Sequence, residues 1–445
     1  MNIEEDLLLK AKKPGDDALK YHPFYKGKIE IVPKCKVTDF SDFAIWYTPG
    51  VAEVCKEIKG DISKVYEYTN KWNTIAIVTD GSRILGLGNI GPQAGLPVME
   101  GKALLFKYLG GVDAFPICLG TQDTKEIIKI VQLLAPSFGG INLEDIEHPK
   151  CFKILKDLRE SMNIPVWHDD QQGTAAVTLA GFINALELVS KRRENVKIAM
   201  IGAGAANICV AKLLISYGVN PGNIFMCDSK GILNRDRSDL KKGYPEKWEI
   251  CKKTNTEDRK GSIAETIDGA DVLIALSKPG PGVIKKEWIK TMASDSIVFV
   301  CANPIPEIWP WEAKDAGAKI VATGRSDFSN QINNSLGFPG IFRGALDVRA
   351  STITDSMCIA AAEELARCAR DKGLKEDYIV PTMDEWEVFP REAVAVGMKA
   401  QEEGVANLQI NKDVLYDNAC RMIKRARDLT GSMVREKFIE LPEDK

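Results

Sequence analysis

Val196–Leu214 reads VKIAMIGAGAANICVAKLL. The apolar run through Ile201 has strand character, and the run from Ile208 has helix character. Between them lie only small residues, Gly202, Ala203, Gly204, Ala205 and Ala206, followed by Asn207. In such a strand–turn–helix the first glycine makes the tight turn and the second lets the backbone approach a pyrophosphate. The helix N-terminus then offers amide donors and the positive end of its dipole. Asn207 stands where a third glycine would complete the fingerprint, which weakens the signature without removing phosphate binding. Asp228 ends the next apolar run, where a carboxylate suits a ribose 2′-hydroxyl and repels a 2′-phosphate. Lys230, two residues on, could accept a phosphate, so NAD is favoured over NADP but not to its exclusion. An ordinary turn of small residues is the competing reading; the flanking strand and helix and Asp228 together favour a dinucleotide site.

Outward from this turn the pattern repeats. Asn223–Cys227, Asp271–Ala275, Ser296–Cys301 and Lys319–Ala322 are strand-like, with helical stretches between them. Upstream, Thr74–Thr79, Ala114–Cys118 and Gly140–Leu143 read as strands, and Val98–Leu109, Lys125–Ala135 and Cys151–Asn163 as helices. Strand–helix alternation implies right-handed parallel crossovers. The expected architecture is α/β: an N-terminal α/β domain, 1–160, then a Rossmann-type doubly wound domain, 161–385. A helical segment, 386–445, packs back on the body. Thr174–Lys191 bridges the two units. A chain of 445 residues is too long for one core, which agrees with this division.

Composition excludes several function classes. A net charge of −3 gives no electrostatic case for nucleic acid or an anionic membrane surface, and the apolar runs are strand-length. The acidic start, MNIEEDLLLKAKK, does not read as a signal peptide. The 11 cysteines are scattered without a CxxC pair, as free thiols of a reducing, cytoplasmic compartment would be.

Ile164–Val177, IPVWHDDQQGTAAV, places His168, Asp169 and Asp170 directly after an apolar strand. Glu144 and Asp145 likewise follow Gly140–Leu143. Unpaired buried carboxylates are costly, and the carboxyl ends of parallel strands are where α/β folds place ligands. Hard oxygen donors from two strand ends suit Mg²⁺ or Mn²⁺. Capping of the next helix by Glu144, or plain exposure to solvent, is the alternative. Thr79–Gly95 is glycine-dense around a single cation, Arg83, which could clamp a carboxylate. Tyr47 adjoins a Pro-Gly turn. Lys102 lies in the apolar run VMEGKALLFKYL, where partial burial is expected to lower its pKa and make it a usable base; Lys107 is the decoy one turn on.

Taken together, YTPGVA, VTDGSRILGLGNIGPQAGLPVMEGKALLFKYLGGVDAFPI, NLEDIEHPKCF, HDDQQGTAAVTLAG, IGAGAAN, ANPIPE and NNSLGFPGIFRGALDVRA resemble the malic enzyme family in its short bacterial form. The resemblance covers most of the chain. It implies oxidative decarboxylation of L-malate to pyruvate and CO₂, with NAD or NADP and Mg²⁺ or Mn²⁺. Tyr47 then matches the general acid and Lys102 the general base. Glu144, Asp145 and Asp170 match the metal ligands, with His168 and Asp169 orienting them. Arg83 matches the arginine that grips a malate carboxylate, and Asn303 and Asn334 the asparagines near substrate and nicotinamide. Gly202–Asn207 matches the pyrophosphate loop and Asp228 the ribose acid. The resemblance further implies a homodimer, without nucleic-acid or membrane partners and without the phosphotransacetylase-like extension of some relatives. Asn207 and the stretch ALSKPG, with Ser277 and Lys278, depart from the usual family pattern around the cofactor. Two readings compete: a metal-independent amino-acid dehydrogenase of similar layout, and an NAD-responsive binding protein without activity.

Overall fold

The computed structural model describes residues 3–442; residues 1–2 and 443–445, at the ends of the expected first and last segments, lie outside it. Two parallel sheets organise the chain. The first contains β1 (Thr74–Thr79), β2 (Asp113–Cys118), β3 (Gly140–Leu143) and β4 (Val166–His168) in the order β2-β1-β3-β4. Every residue of β1 and β3 is buried, as expected of strands covered by helices on both faces. β1, in the centre, carries Asp80 and the glycine-dense loop at its carboxyl end. β3 carries Glu144 and Asp145, and β4 carries Asp169 and Asp170, at the same edge.

The second sheet contains β5 (Ile198–Ile201), β6 (Ile224–Asp228), β7 (Gly231–Ile232), β8 (Val272–Ala275), β9 (Ile297–Val300) and β10 (Ile320–Thr323) in the order β10-β9-β8-β5-β6-β7. All pairs are parallel except the short edge pair β6–β7. The order reverses beside β5, which places the GAGAAN turn at the topological switch point where doubly wound sheets bind ligands.

The expected strands are all present, β1 and β3 with the expected ends and the others with ends shifted by one or two residues. The helix expected over Val98–Leu109 is longer: it runs Pro92–Gly110, with Pro97 inside its first turns. Pro92 opens the helix, where the first amides have no intrahelical acceptor, whereas Pro97, the sixth residue, omits one intrahelical hydrogen bond; an apolar pattern interrupted by proline therefore reads as a later start. The helix Thr174–Leu188 is buried on nearly all sides and forms the bridge, packed on Ala205–Ser216 and on Asp355–Lys372.

The C-terminal helices return to the first sheet. Val388–Glu402 packs on Phe338–Asp347, and Lys412–Arg435 packs on Pro92–Gly110. Leu109, Phe389 and Ile423 form a small apolar cluster at that junction. Gly111 makes this approach possible: its φ is +64°, and a Cβ there would lie 2.8 Å from the Met422 carbonyl carbon. No helix among the described residues is long and apolar enough to cross a membrane.

Candidate active site

The carboxyl ends of both sheets open on one cleft of about 330 Å³. Its walls include Arg83, Lys102, Glu144, Asp145 and Asp170 from the first unit. Gly204, Ala205 and Ala206, then Asn303 and Asn334, come from the second.

After β4 the chain makes a π-helical turn, Asp169–Gly173, before entering the bridge helix. Such turns insert a residue and re-aim side chains, often at functional sites. Here the turn sends two adjacent aspartates to different partners. Asp169 is fully buried; its Oδ2 accepts from Lys102 Nζ at 2.5 Å and its Oδ1 from Trp167 Nε1 at 3.0 Å. Asp170 turns toward Asp145, whose amide donates to Asp170 Oδ2 at 2.9 Å. Glu144, Asp145 and Asp170 present oxygens that all lie within 4.8 Å of one another.

The residues present fit a divalent cation. Asp145 Oδ2 is buried without a donor, and the three carboxylates supply hard oxygen ligands. Burial above all, with the neighbouring carboxylates adding to it, holds Glu144 and Asp145 well above the usual carboxylate range. The capping alternative for Glu144 fails. It is 3% exposed, it accepts from Asn142 Nδ2 at 2.8 Å, and the following helix has no side-chain cap. His168 is fully buried with Nδ1 3.6 Å from Asp170 Oδ2, and burial lowers its pKa against the pull of the neighbouring aspartates.

Lys102 corrects one expectation. Its Nζ lies 3.1 Å from Glu144 Oε1, 2.5 Å from Asp169 Oδ2 and 4.4 Å from the centre of the Phe338 ring. Burial favours the neutral amine, as expected, but Asp169, Glu144 and Asp170 outweigh it and raise the pKa instead. Lys107, one turn on, pairs instead with Asp113 at 2.6 Å and is a third exposed.

The cofactor turn has the shape its sequence implies. Gly202 has φ +95°, and a Cβ there would strike the Leu276 carbonyl at 2.5 Å; a Cβ on Gly204 would meet open space. That space faces the N-terminus of Ala205–Ser216, where a pyrophosphate fits. Asn207, fully buried, donates from Nδ2 to the carbonyls of Ile201 and Gly202 at 2.9 and 2.8 Å. The asparagine at the third glycine position thus braces the loop. Asp228 is gripped by Arg237 at 3.1 and 3.2 Å and approached by Lys247 at 3.4 Å. Burial opposes ionisation there, yet the Arg237 hydrogen bonds lower the pKa below its ordinary value.

Tyr47 stands apart. Its side chain is 73% exposed and does not line the cleft. Ile31, Phe40, Ile45 and Trp46 lie exposed in the same segment.

Two family descriptions match the chain. Residues 26–159 match the malic enzyme N-terminal domain, and residues 171–401 match the malic enzyme NAD-binding domain. The chain belongs to the malic enzyme family. It is 50% identical over 407 residues to the bifunctional malic/malolactic enzyme of Bacillus subtilis, covering 92% of this chain and 98% of that one. It is 51% identical over 381 residues to the NAD-dependent malic enzyme of Geobacillus stearothermophilus, covering 85% and 78%. The crystal structure of Entamoeba histolytica malic enzyme superposes with a TM-score of 0.97 at 50% identity, covering 99% of this chain and 93% of that one. The activity is therefore the family's, oxidative decarboxylation of malate with NAD or NADP, and the amino-acid dehydrogenase and non-catalytic readings fall away.

Residues beyond the expected set also shape this malic enzyme's cleft and its cofactor side. His148 lines the cleft and stacks on Tyr244 of the second unit, 5.3 Å between ring centres and 10° apart. Burial, reinforced by Lys247, lowers its pKa to about 4. Glu307, the last residue of ANPIPE, accepts from the amides of Ser277 and Ala302 at 2.8 and 3.1 Å, tying two cofactor-side loops together. Its motif was a sequence signal; the partners of Asp228, Arg237 and Lys247, did not announce themselves.

Proposed function

We propose the following division of labour in malate oxidation. Lys102, in the neutral form that a cation offsetting the charge of Glu144 and Asp170 would favour, takes the proton of the C2 hydroxyl, and Asp169 holds the ammonium so formed. Arg83 grips a malate carboxylate. Glu144, Asp145 and Asp170 hold Mg²⁺ or Mn²⁺, with His168 against Asp170. Asn303 and Asn334 border substrate and nicotinamide, and Gly202, Ala203, Gly204, Ala205, Ala206 and Asn207 form the pyrophosphate cradle. When bound, the metal would supply Lewis-acid stabilisation of developing oxyanion charge, and the nicotinamide would supply the acceptor for the C2 hydride. CO₂ then leaves from C4, and Tyr47 returns a proton to C3. The observation that carries this reading is the convergence of Lys102, Arg83 and the three carboxylates on the cleft that also exposes Gly204 and Ala205.

NAD is the preferred nucleotide in this reading, with Asp228 as the discriminating acid. The nearness of Arg237 and Lys247 implies that the preference rests on this one carboxylate. Asp228→Asn should raise the NADP:NAD ratio of kcat/KM by at least about tenfold, because a like-charge clash with a 2′-phosphate is removed while two cations stay. Parallel steady-state titrations with both nucleotides measure it; an unchanged ratio would assign discrimination elsewhere.

The exposed position of Tyr47 on an apolar surface supports a homodimer in which this tyrosine completes the partner's site. Co-expression of Tyr47→Phe and Lys102→Ala chains tests it. Half of randomly formed dimers are mixed, and each mixed dimer has one intact site, so turnover should recover to about a quarter of wild type. If Tyr47 serves its own chain, the mixture stays as inactive as its parents. A three-part division belongs to the same reading, with the first boundary moved from 160 to beyond β4, which pairs with β3 in the first sheet, and the segments to 385 and from 386 to 445 kept; so does a cytoplasmic location, with 11 free cysteines.

A further inference from the structure

Lys102 Nζ sits between two carboxylates, Asp169 at 2.5 Å and Glu144 at 3.1 Å. Neither contact by itself fixes the amine. A lysine head is a compact charge with three donors on a flexible stem, and the last torsion of an acid side chain is broad. Engaging both oxygens of a carboxylate fixes its plane, and that condition is met twice here. Asp169 gives Oδ2 to Lys102, and its Oδ1 accepts from Trp167 Nε1 at 3.0 Å. Glu144 gives Oε1 to Lys102, and its Oε2 accepts from Asn142 Nδ2 at 2.8 Å.

The two outer donors form one rung of the first sheet. Asn142 on β3 and Trp167 on β4 are register partners in a parallel pair. Each donates to the acid two residues further along its own chain. Register partners present their side chains to the same face, so a single rung aims both acids at one amine. Asn142, Trp167 and Asp169 are fully buried and Glu144 nearly so. Loss of either donor would therefore leave an acid oxygen unpartnered in a low dielectric. Gly173 leaves room for the arrangement: a Cβ there would lie 2.1 Å from Asp169 Oδ1. A buried indole needs an acceptor for its N–H, and here that acceptor is the acid that faces Lys102.

We propose that Trp167 is a positioning residue of malate oxidation: through Asp169 it holds Lys102 Nζ where the amine reaches the C2 hydroxyl, and Asn142 does the same through Glu144. The inference rests on the assignment of Lys102 as the base. Of the two donors, Trp167 isolates the effect. Asp169 stands outside the carboxylate set that fits a cation, whereas Glu144 belongs to it.

Trp167→Phe removes the donor but also changes the packing of a buried strand and so can fail to fold. Site-specific replacement of Trp167 by 3-benzothienylalanine keeps the shape of the ring and puts sulfur where Nε1–H stood. In the full chain with L-malate, NAD and Mn²⁺, this isostere should lower kcat about tenfold, as loss of a supporting hydrogen bond to an active-site group does. KM for malate should stay as it is, because the contact serves the transition state rather than substrate binding. Mn²⁺ affinity, read by electron paramagnetic resonance, should also be unchanged. In a chain that already carries Lys102→Ala, the isostere should lower the residual rate no further, since both changes act through one amine. A native kcat in the isostere, a loss of Mn²⁺ affinity in step with kcat, or a further tenfold loss beside Lys102→Ala would each overturn the proposal. Near-normal turnover of Lys102→Ala alone would remove the base assignment and this inference with it. An inactive Lys102→Ala beside an undiminished isostere would remove the inference and leave the base in place.

Discussion

Lys102→Ala is expected to lower kcat for malate oxidation by about 10²–10⁴-fold, the range a positioned general base contributes. NAD affinity, read by nucleotide fluorescence, should change little, because Lys102 belongs to the first sheet's helix and the pyrophosphate turn to the second sheet. The variant should also be less stable. Lys102 sits between Glu144 and Asp169, and removing one partner of a buried ion pair costs about 3–5 kcal/mol. That loss separates two explanations of inactivity: a chain still folded by circular dichroism and still binding NAD, yet without turnover, has lost the base rather than the fold. Near-normal turnover would remove Lys102 from the chemistry.

Asp170→Ala is the second large effect. It removes one of three carboxylates and should weaken Mn²⁺ binding by at least about tenfold, with turnover falling alongside. Direct Mn²⁺ titration by electron paramagnetic resonance makes the first measurement without reference to activity. The same set predicts a pH dependence with a definite sign. Glu144 and Asp145 have raised pKa values in the metal-free fold, so their protonated forms are favoured by folding. The metal-free chain therefore loses stability as pH rises through those values, and a cation must displace those protons to bind. The rise in Tm on adding Mn²⁺ should be larger near about pH 8 than near about pH 5. The reverse order would place the cation on other groups.

The sheets and the strand ends that carry Glu144, Asp145, Asp169 and Asp170 were legible in the sequence, because buried parallel strands read as continuous apolar runs. β1 and β3 were legible to the residue. The candidate ligands were legible because acids at strand ends are costly unless something compensates them. What local pattern could not carry was long-range pairing. Asp169 and Asp170 look equivalent in sequence, and only the π-helical turn shows one facing Lys102 and the other Asp145. The direction of the Lys102 shift was misjudged for the same reason, since its burial was visible and its carboxylate partners were not. Arg237 and Lys247 converge on Asp228 from 9 and 19 residues away, through loops whose course no spacing rule specifies. Tyr47 lies exposed, and no pattern along one chain reveals whether a second copy covers it.

On the proposed division of labour, one metal-dependent site joins malate oxidation to decarboxylation. The most direct measurement follows NADH formation and pyruvate release together, with purified chain, L-malate, NAD and Mn²⁺, before and after chelation by EDTA. Equal amounts of NADH and pyruvate should form with Mn²⁺, and both should vanish with EDTA and return when Mn²⁺ is restored. NADH formation that persists in EDTA, or that proceeds without pyruvate, would contradict the claim.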